Sequence, residues 1–312
     1  MHGVVHALHT FYEHLRAIAW LPVLLALLCQ FGKMLARTRA WRNVLAAAFP
    51  EVNVRWRSVF GAYAAGAGFN AIVPARGGDL LKLSIVKRRI PGSTYATLAS
   101  SLVVESILDG VISIAFLVWA LHEGVLPGVH VLHRLPAVDW FWLFRNPRAA
   151  AITLAVAIAV AFVLGVLTAS RIATFRHRLA QGVAILHTPR RYLFGVVSWQ
   201  LVDWALRLAT IYFFLRAFHI PTPFTNELRV QVTQSLSTIV PLTPAGIGTE
   251  QALVVYVLRG QASSSALLSL SVGMKVILAS FNVVIGLIAM AAMLHTLRWR
   301  SVTGSGPDPA PQ

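Results

Sequence analysis

Residues 97–121, TLASSLVVESILDGVISIAFLVWAL, decide the fold class of this chain. The run exceeds the roughly 20 apolar residues that cross about 30 Å of hydrocarbon as a helix. Four further apolar runs lie at 17–36, 150–170, 192–218 and 266–294. They lack the alternation of barrel strands, and lipid excludes exposed irregular backbone, so we expect an all-α polytopic helical bundle with at least five spans.

The composition supports a membrane environment. Only 12% of the 312 residues are charged and 57% are hydrophobic, whereas soluble domains carry about 25% charged residues. The net charge of +16 is concentrated in the stretches 37–57, 76–94 and 171–191, which we interpret as cytoplasmic loops. The expected partners are therefore anionic lipid headgroups and not nucleic acid, and the amino terminus is expected on the opposite side.

The sequence contains no convincing catalytic constellation, and the four amino-terminal histidines His2, His6, His9 and His14 favour an interfacial helix over a metal site. Cys29 is the single cysteine and the eleven histidines are scattered, so neither an intrachain disulfide nor a cysteine cluster is predicted. We expect no catalytic residues, no metal and no cofactor. Residues 1–295 are predicted to form one transmembrane domain, and 296–312 a disordered cytoplasmic tail.

Two weakly apolar segments are interrupted by proline and glycine. Segment 58–75 joins two basic stretches, and segment 230–258 is broken near Pro241 and Pro244. If the basic stretches share one side of the membrane, the first segment must enter and return. We therefore predict two re-entrant elements buried within protein.

The two breaks also suggest an internal repeat. The sequence offset from Pro74 to Pro244 is the same as the offset from Glu105 to Lys275. This common offset predicts two inverted halves, about 17–121 and 190–294, with the functional site at their interface. Glu105 and Lys275 are predicted to form a pair near the midplane. The alternative is a chance similarity of two Pro/Gly hinges.

Charged residues inside the apolar runs mark functional candidates, because intramembrane charges usually face a bundle interior or a wet cavity. Ser101, Glu105 and Asp109 recur every four residues and share a helix face. An ion pair that only holds helices together is the alternative role for these carboxylates. Asp203 and Arg207, at i,i+4, are interpreted as a structural pair.

The first break has the features of an anion site. Gly77 and Gly78 let backbone N–H groups approach an anion at a helix start near Asp79. Arg76 would then grip phosphate and Lys82 would add a charge. In the alternative reading, the glycines allow close helix packing and Arg76 only snorkels. For Glu250, helix capping, proton coupling and repulsion of anionic headgroups remain open.

Three motifs carry a family resemblance: PARGGDLLKL at 74–83, VVESILDGV at 103–111 and VPLTPAGIGTEQA at 240–252. They resemble the flippase-like transmembrane region of lysylphosphatidylglycerol synthases, over about residues 15–295. Ser106 departs from the family, which commonly has arginine there. A stand-alone member without the aminoacyl-transferase domain is expected, because nothing after residue 295 resembles that domain.

The resemblance implies a lipid flippase or transporter of a prokaryotic plasma membrane that handles a phospholipid or glycolipid headgroup. The alternatives are a membrane-embedded lipid-modifying transferase, with Asp79, Glu105 or Asp109 as base, and an accessory subunit of a lipid or cell-envelope pathway. A homo-oligomer or a lipid-synthesis enzyme is a possible partner. The predicted substrate-binding residues are Asn70, Pro74, Arg76, Gly77, Gly78, Asp79, Lys82, Glu105, Asp109, Pro241, Thr243, Pro244, Gly246, Gly248, Glu250 and Lys275.

Overall fold

The computed structural model describes residues 18–73, 77–123, 181–239 and 248–303. Within these ranges the chain forms helices and no strand, which confirms the predicted all-α class. The α-helices are α1 (Trp20–Ala48), α2 (Trp56–Ile72), α3 (Gly77–Arg89), α4 (Tyr95–His122), α5 (Pro189–Tyr192), α6 (Ser198–Ala217), α7 (Phe224–Ile239), α8 (Thr249–Val257) and α9 (Ser264–Thr303). A π-helical turn, Leu193–Val197, joins α5 to α6.

Three of these helices are long and apolar enough to cross a membrane: Trp20–Ala48, Tyr95–Ala120 and Ser264–Met293. They correspond to three of the five predicted runs. Helix α6 corresponds to the run at 192–218; it contains Asp203 and Arg207 and is not one of these three spans. The run at 150–170 lies outside the described residues.

Two of the three basic stretches are largely helical and not the loops that the sequence had suggested. Helix α1 continues to Ala48 and therefore includes Arg37, while α3 occupies most of 76–94. The reason is local: no glycine or proline occurs between Gly32 and Pro50, and the residues between them favour helix until proline ends it. Arg37 is consequently a bundle residue instead of a loop cation.

Small residues set the closest helix contacts. Helix α2 packs on both α3 and α9. A Cβ at Gly66 would lie 2.6 Å from the carbonyl oxygen of Gly78 on α3, and a Cβ at Gly68 would lie 2.9 Å from the carbonyl oxygen of Asn282 on α9. Glycine is required at these crossings because no side chain fits between the backbones.

The helices recur at nearly the spacing seen in the sequence. Helix α2 begins at Trp56 and α7 at Phe224, while α4 begins at Tyr95 and α9 at Ser264, so the two pairs are almost equally separated along the chain. The packing is reciprocal, because α2 contacts α9 while α4 contacts α7, and α1 lies along α6. The inverted orientation of the halves and the re-entrant paths stay predictions.

The predicted domain boundary at residue 295 falls inside a helix. Helix α9 runs without interruption to Thr303, so the first part of the predicted 296–312 tail is helical. Residues 304–312 lie outside the described part of the chain.

Candidate functional site

A cavity of about 450 Å³ lies among α1, α2, α3 and α4. We call it the polar cavity. It brings together four residues that the sequence singled out, Asn70, Asp79, Lys82 and Glu105, and adds two that it did not, Arg37 and Tyr63. The first half of the chain therefore builds a charged chamber from residues on four helices.

Arg37 is the centre of the ion pairs beside this cavity. Its Nε lies 3.0 Å from Glu105 Oε1, and its Nη2 lies 2.7 Å from Asp109 Oδ2. The two carboxylates lie one turn apart on α4, as the four-residue spacing predicted. Since the Glu105 side chain is only 6% exposed, leaving it ionised without a cation would be very costly.

Helix α6 completes what we call the ion network, which comprises Arg37, Glu105, Asp109, Asp203 and Arg207. Arg207 Nη2 lies 3.0 Å from Asp203 Oδ2, which confirms the predicted i,i+4 pair. That pair is not self-contained, because Arg37 Nη1 lies 3.6 Å from Asp203 Oδ2 and Arg207 Nη2 lies 3.9 Å from Asp109 Oδ1. The network therefore ties α1, α4 and α6 together.

Aromatic side chains hold the network in place. Trp204 donates its Nε1–H to Asp109 Oδ1 over 2.8 Å, and the guanidinium of Arg207 stacks 4.3 Å from the Trp204 ring centroid. Gln200 donates to the backbone carbonyl of Glu105. These contacts restrict the rotamers of the charged groups, so their charges have fixed positions.

Lys82 and Asp79 form a second ion pair at the mouth of the polar cavity. Lys82 Nζ lies 2.9 Å from Asp79 Oδ1, while the Asp79 side chain is 42% exposed. The lysine also lies 5.7 Å from the Tyr63 ring centroid and 5.8 Å from that of Trp41. A pair with one exposed member exchanges partners at little cost.

The glycines of the first break serve packing. The Gly78 N–H donates to Asn70 Oδ1 over 2.7 Å, so this backbone donor is already occupied. A Cβ on Gly77 would lie 3.1 Å from the Phe69 ring. These contacts agree with the alternative in which the glycines allow close packing. Pro74 and Arg76 lie outside the described residues.

A second, larger cavity of about 1,090 Å³ lies between α8 and α9 and extends to Asn70. We call it the apolar cavity, because most of its wall surface is apolar and includes side chains such as Val255, Leu268 and Val272. Gly248 also lines it and has φ +89°, in the left-handed region that favours glycine. Pro241, Thr243, Pro244 and Gly246 lie outside the described residues.

Lys275 does not pair with Glu105, and that prediction was wrong. Lys275 Nζ lies 2.8 Å from Glu250 Oε2, whereas Glu105 pairs with Arg37. The reason is the packing of the helices: α9 lies against α8, which carries Glu250, and α4 lies against α1, which carries Arg37. A common offset in sequence did not bring these two residues together.

Arg37 and Tyr63 were missed as site residues. Arg37 sits at the start of a basic stretch and therefore had the pattern of a loop cation. Its offset from Arg207 equals that from Pro74 to Pro244, which supported the predicted repeat but did not mark Arg37 as a site residue. Tyr63 lies in a Gly/Ala-rich segment that also contains Phe60 and Phe69, and nothing in the sequence distinguishes it from these two residues.

Comparison with known proteins identifies the family of this chain. The family model described as the lysylphosphatidylglycerol synthase TM region matches residues 4–286. No curated protein and no solved structure matches the chain. Because the family model covers most of the chain and three of the described helices are long and apolar enough to cross a membrane, this is a membrane protein of a lipid-handling family, and it belongs to the lysylphosphatidylglycerol synthase transmembrane region family.

Proposed function

We propose that this protein is a flippase-type lipid transporter of a prokaryotic plasma membrane, and that the polar cavity receives the lipid headgroup while the acyl chains stay in the bilayer. The observation that carries the proposal is the charged wall of the cavity, formed by Arg37, Lys82, Asp79 and Glu105, beside a helix that is otherwise apolar enough to span a membrane.

The physical argument is one of solvation. A headgroup that crosses hydrocarbon unaided loses its water without replacement, and each unpaired polar group costs several kcal/mol. A cavity with fixed cations and carboxylates replaces that water with protein groups. The ion network on α1, α4 and α6 pairs these buried charges within the fold, so their desolvation is already compensated before a lipid binds.

Lys82 is the cation best placed to meet a phosphate. Its present partner, Asp79, is the more exposed member of the pair, so an incoming phosphate can replace that carboxylate. Arg37 already pairs with several carboxylates. It therefore holds the cavity wall in position and is less available than Lys82 to bind a ligand. The roles of Lys82 and Arg37 thus differ.

Reconstitution into liposomes tests the proposal. Liposomes with labelled lipids of different headgroups should show transfer of unmodified lipid between leaflets when the protein is present. Lys82→Gln should reduce transfer, and Lys87→Gln, on the exposed end of α3, should not. Formation of a chemically altered lipid would favour the transferase alternative, and neither transfer nor product with well-folded protein would favour the accessory role.

A further inference from the structure

We propose that a second site, separate from the polar cavity, binds the phosphates of a resident anionic lipid. We call it the basic pocket and define it by Arg39, Arg42, Arg55, Arg57 and Arg89. These residues come from the end of α1, the linker to α2, the start of α2 and the end of α3. None of the side chains that line the polar cavity lines this pocket.

The basic pocket consists of two joined cavities. One, of about 640 Å³, contains Arg55, Arg57 and Arg89. The other, of about 580 Å³, contains Arg39 and Arg42, and again Arg55 and Arg57. The shared arginines lie between two chambers, each large enough for a phosphate group and its water.

The arginines of the basic pocket lack protein counter-ions. Within the described ranges no carboxylate lies within 4.0 Å of any of the five guanidinium groups, whereas Arg37, Lys82, Arg207 and Lys275 all have one. Guanidinium groups that line the same cavity repel each other, and a bound anion relieves that repulsion. Arginine also matches phosphate with two parallel hydrogen bonds.

Part of the pocket is held in place before any ligand binds. The guanidinium of Arg39 stacks 4.3 Å from the Trp56 ring centroid, and the Trp56 Nε1–H donates to Thr38 Oγ1 over 3.1 Å. Arg42 Nε donates to the carbonyl oxygen of Val54 over 3.0 Å. Such fixed cations lose little conformational entropy on binding.

The apolar part of the pocket wall indicates that the ligand is a lipid and not a free phosphate. Val59, Val86, Ile90, Ala292 and Met293 line the same cavity as Arg55 and Arg89. Met293 is the last residue of the apolar span of α9, Ser264–Met293, so the pocket lies where that span ends. Basic pockets between helices at this level bind anionic lipid headgroups.

Two chambers with shared arginines fit a lipid with two phosphates better than one with a single phosphate. The inferred ligand is therefore a dianionic lipid of the diphosphatidylglycerol type, retained with the protein and not transported. Because the site shares no lining residue with the polar cavity, this inference does not depend on the proposed transport function.

Native mass spectrometry of the full chain in detergent tests the inference, with diphosphatidylglycerol, phosphatidylglycerol and phosphatidylcholine as added lipids. The diphosphate lipid should bind most tightly. Arg55→Gln with Arg57→Gln should weaken it about thirtyfold, since each arginine near a membrane surface contributes about 1 kcal/mol or slightly more to anionic-lipid binding. The matched control, Lys87→Gln with Arg88→Gln, removes the same charge outside the pocket and should change binding less than about twofold.

Arg89→Gln provides a second, milder variant should the double substitution prevent folding, and it should weaken the diphosphate lipid several-fold. Equal weakening by the control pair would overturn the assignment, because a general charge effect would then explain binding. Equal affinity for the one-phosphate and two-phosphate lipids would overturn the two-chamber account. Competition by inorganic pyrophosphate as strong as that by the lipid would identify a soluble phosphate ligand and overturn the lipid assignment.

Discussion

The polar and apolar cavities occupy comparable places in the two halves of the chain, yet their chemistry differs. The first is lined by two cations and two carboxylates on α1, α3 and α4. The second is more than twice as large and mostly apolar, and Lys275, which pairs with Glu250, lies in its wall. Both reach Asn70 on α2.

The difference shows that a similar spacing of helices along the chain does not fix the chemistry between them. Gly78 and Gly248 are separated along the chain by the same offset as Pro74 and Pro244, and each donates its N–H to a side-chain amide oxygen, of Asn70 and of Gln251 respectively. The backbone N–H at each of the two breaks is therefore satisfied in the same way, by a side-chain amide. The charges that separate the cavities come from single positions on the surrounding helices.

The largest expected effect is on the ion network. Arg37→Met removes the cation shared by three carboxylates and should lower the free energy of unfolding by about 3–5 kcal/mol, because buried charges are left uncompensated. Thermal unfolding in detergent measures this. Arg216→Gln, an exposed arginine on α6, is the control and should unfold like the wild type. Equal midpoints for Arg37→Met and wild type would contradict the account of the network.

The pair in the second half should matter less. Lys275→Met should cost about 1–2 kcal/mol, because both members retain some exposure to solvent. Glu250→Gln combined with Lys275→Met should recover most of that loss. Glu105→Gln combined with Lys275→Met should instead be additive, since the two residues do not meet. If the Glu105→Gln, Lys275→Met double variant regained stability, the two residues would pair after all, contrary to the structure.

Measurements of lipid transfer should distinguish the roles of the two cavities more clearly than measurements of unfolding do. Lys82→Gln removes the cation that we propose meets the headgroup phosphate and should slow lipid transfer about tenfold, which corresponds to one lost charged contact. Its unfolding midpoint should stay near that of wild type, because Asp79 is already partly solvated. Unchanged transfer by well-folded Lys82→Gln would show that the polar cavity does not hold the headgroup.

The smallest effect is expected from filling the apolar cavity. Ala252→Trp places a large side chain in that wall and should slow transfer about threefold for lipids with two long chains, by steric exclusion worth less than about 1 kcal/mol. Short-chain analogues should be affected less. Equal slowing of short-chain and long-chain lipids would show that this cavity does not accommodate the acyl chains.

The sequence predicted the helices better than it predicted their partners. Run length and helix-forming composition were sufficient for α1, α4 and α9, and i,i+4 spacing was sufficient for the Asp203–Arg207 pair. Arg37 could not be assigned, because its carboxylate partners lie far away in sequence and its neighbours suggested a loop. The Glu105–Lys275 prediction failed since equivalent residues meet only where equivalent helices pack, as α1 and α6 do.

Cysteine protection tests the central claim most directly. In a Cys29→Ser background, Val103→Cys labels the polar cavity and Leu268→Cys labels the apolar cavity. A water-soluble maleimide reports access at each position in the presence of phosphatidylglycerol or of diacylglycerol with the same chains. Protection of position 103 should require the headgroup, while position 268 should be protected equally by both lipids. Equal protection of position 103 by diacylglycerol would contradict a headgroup site in the polar cavity.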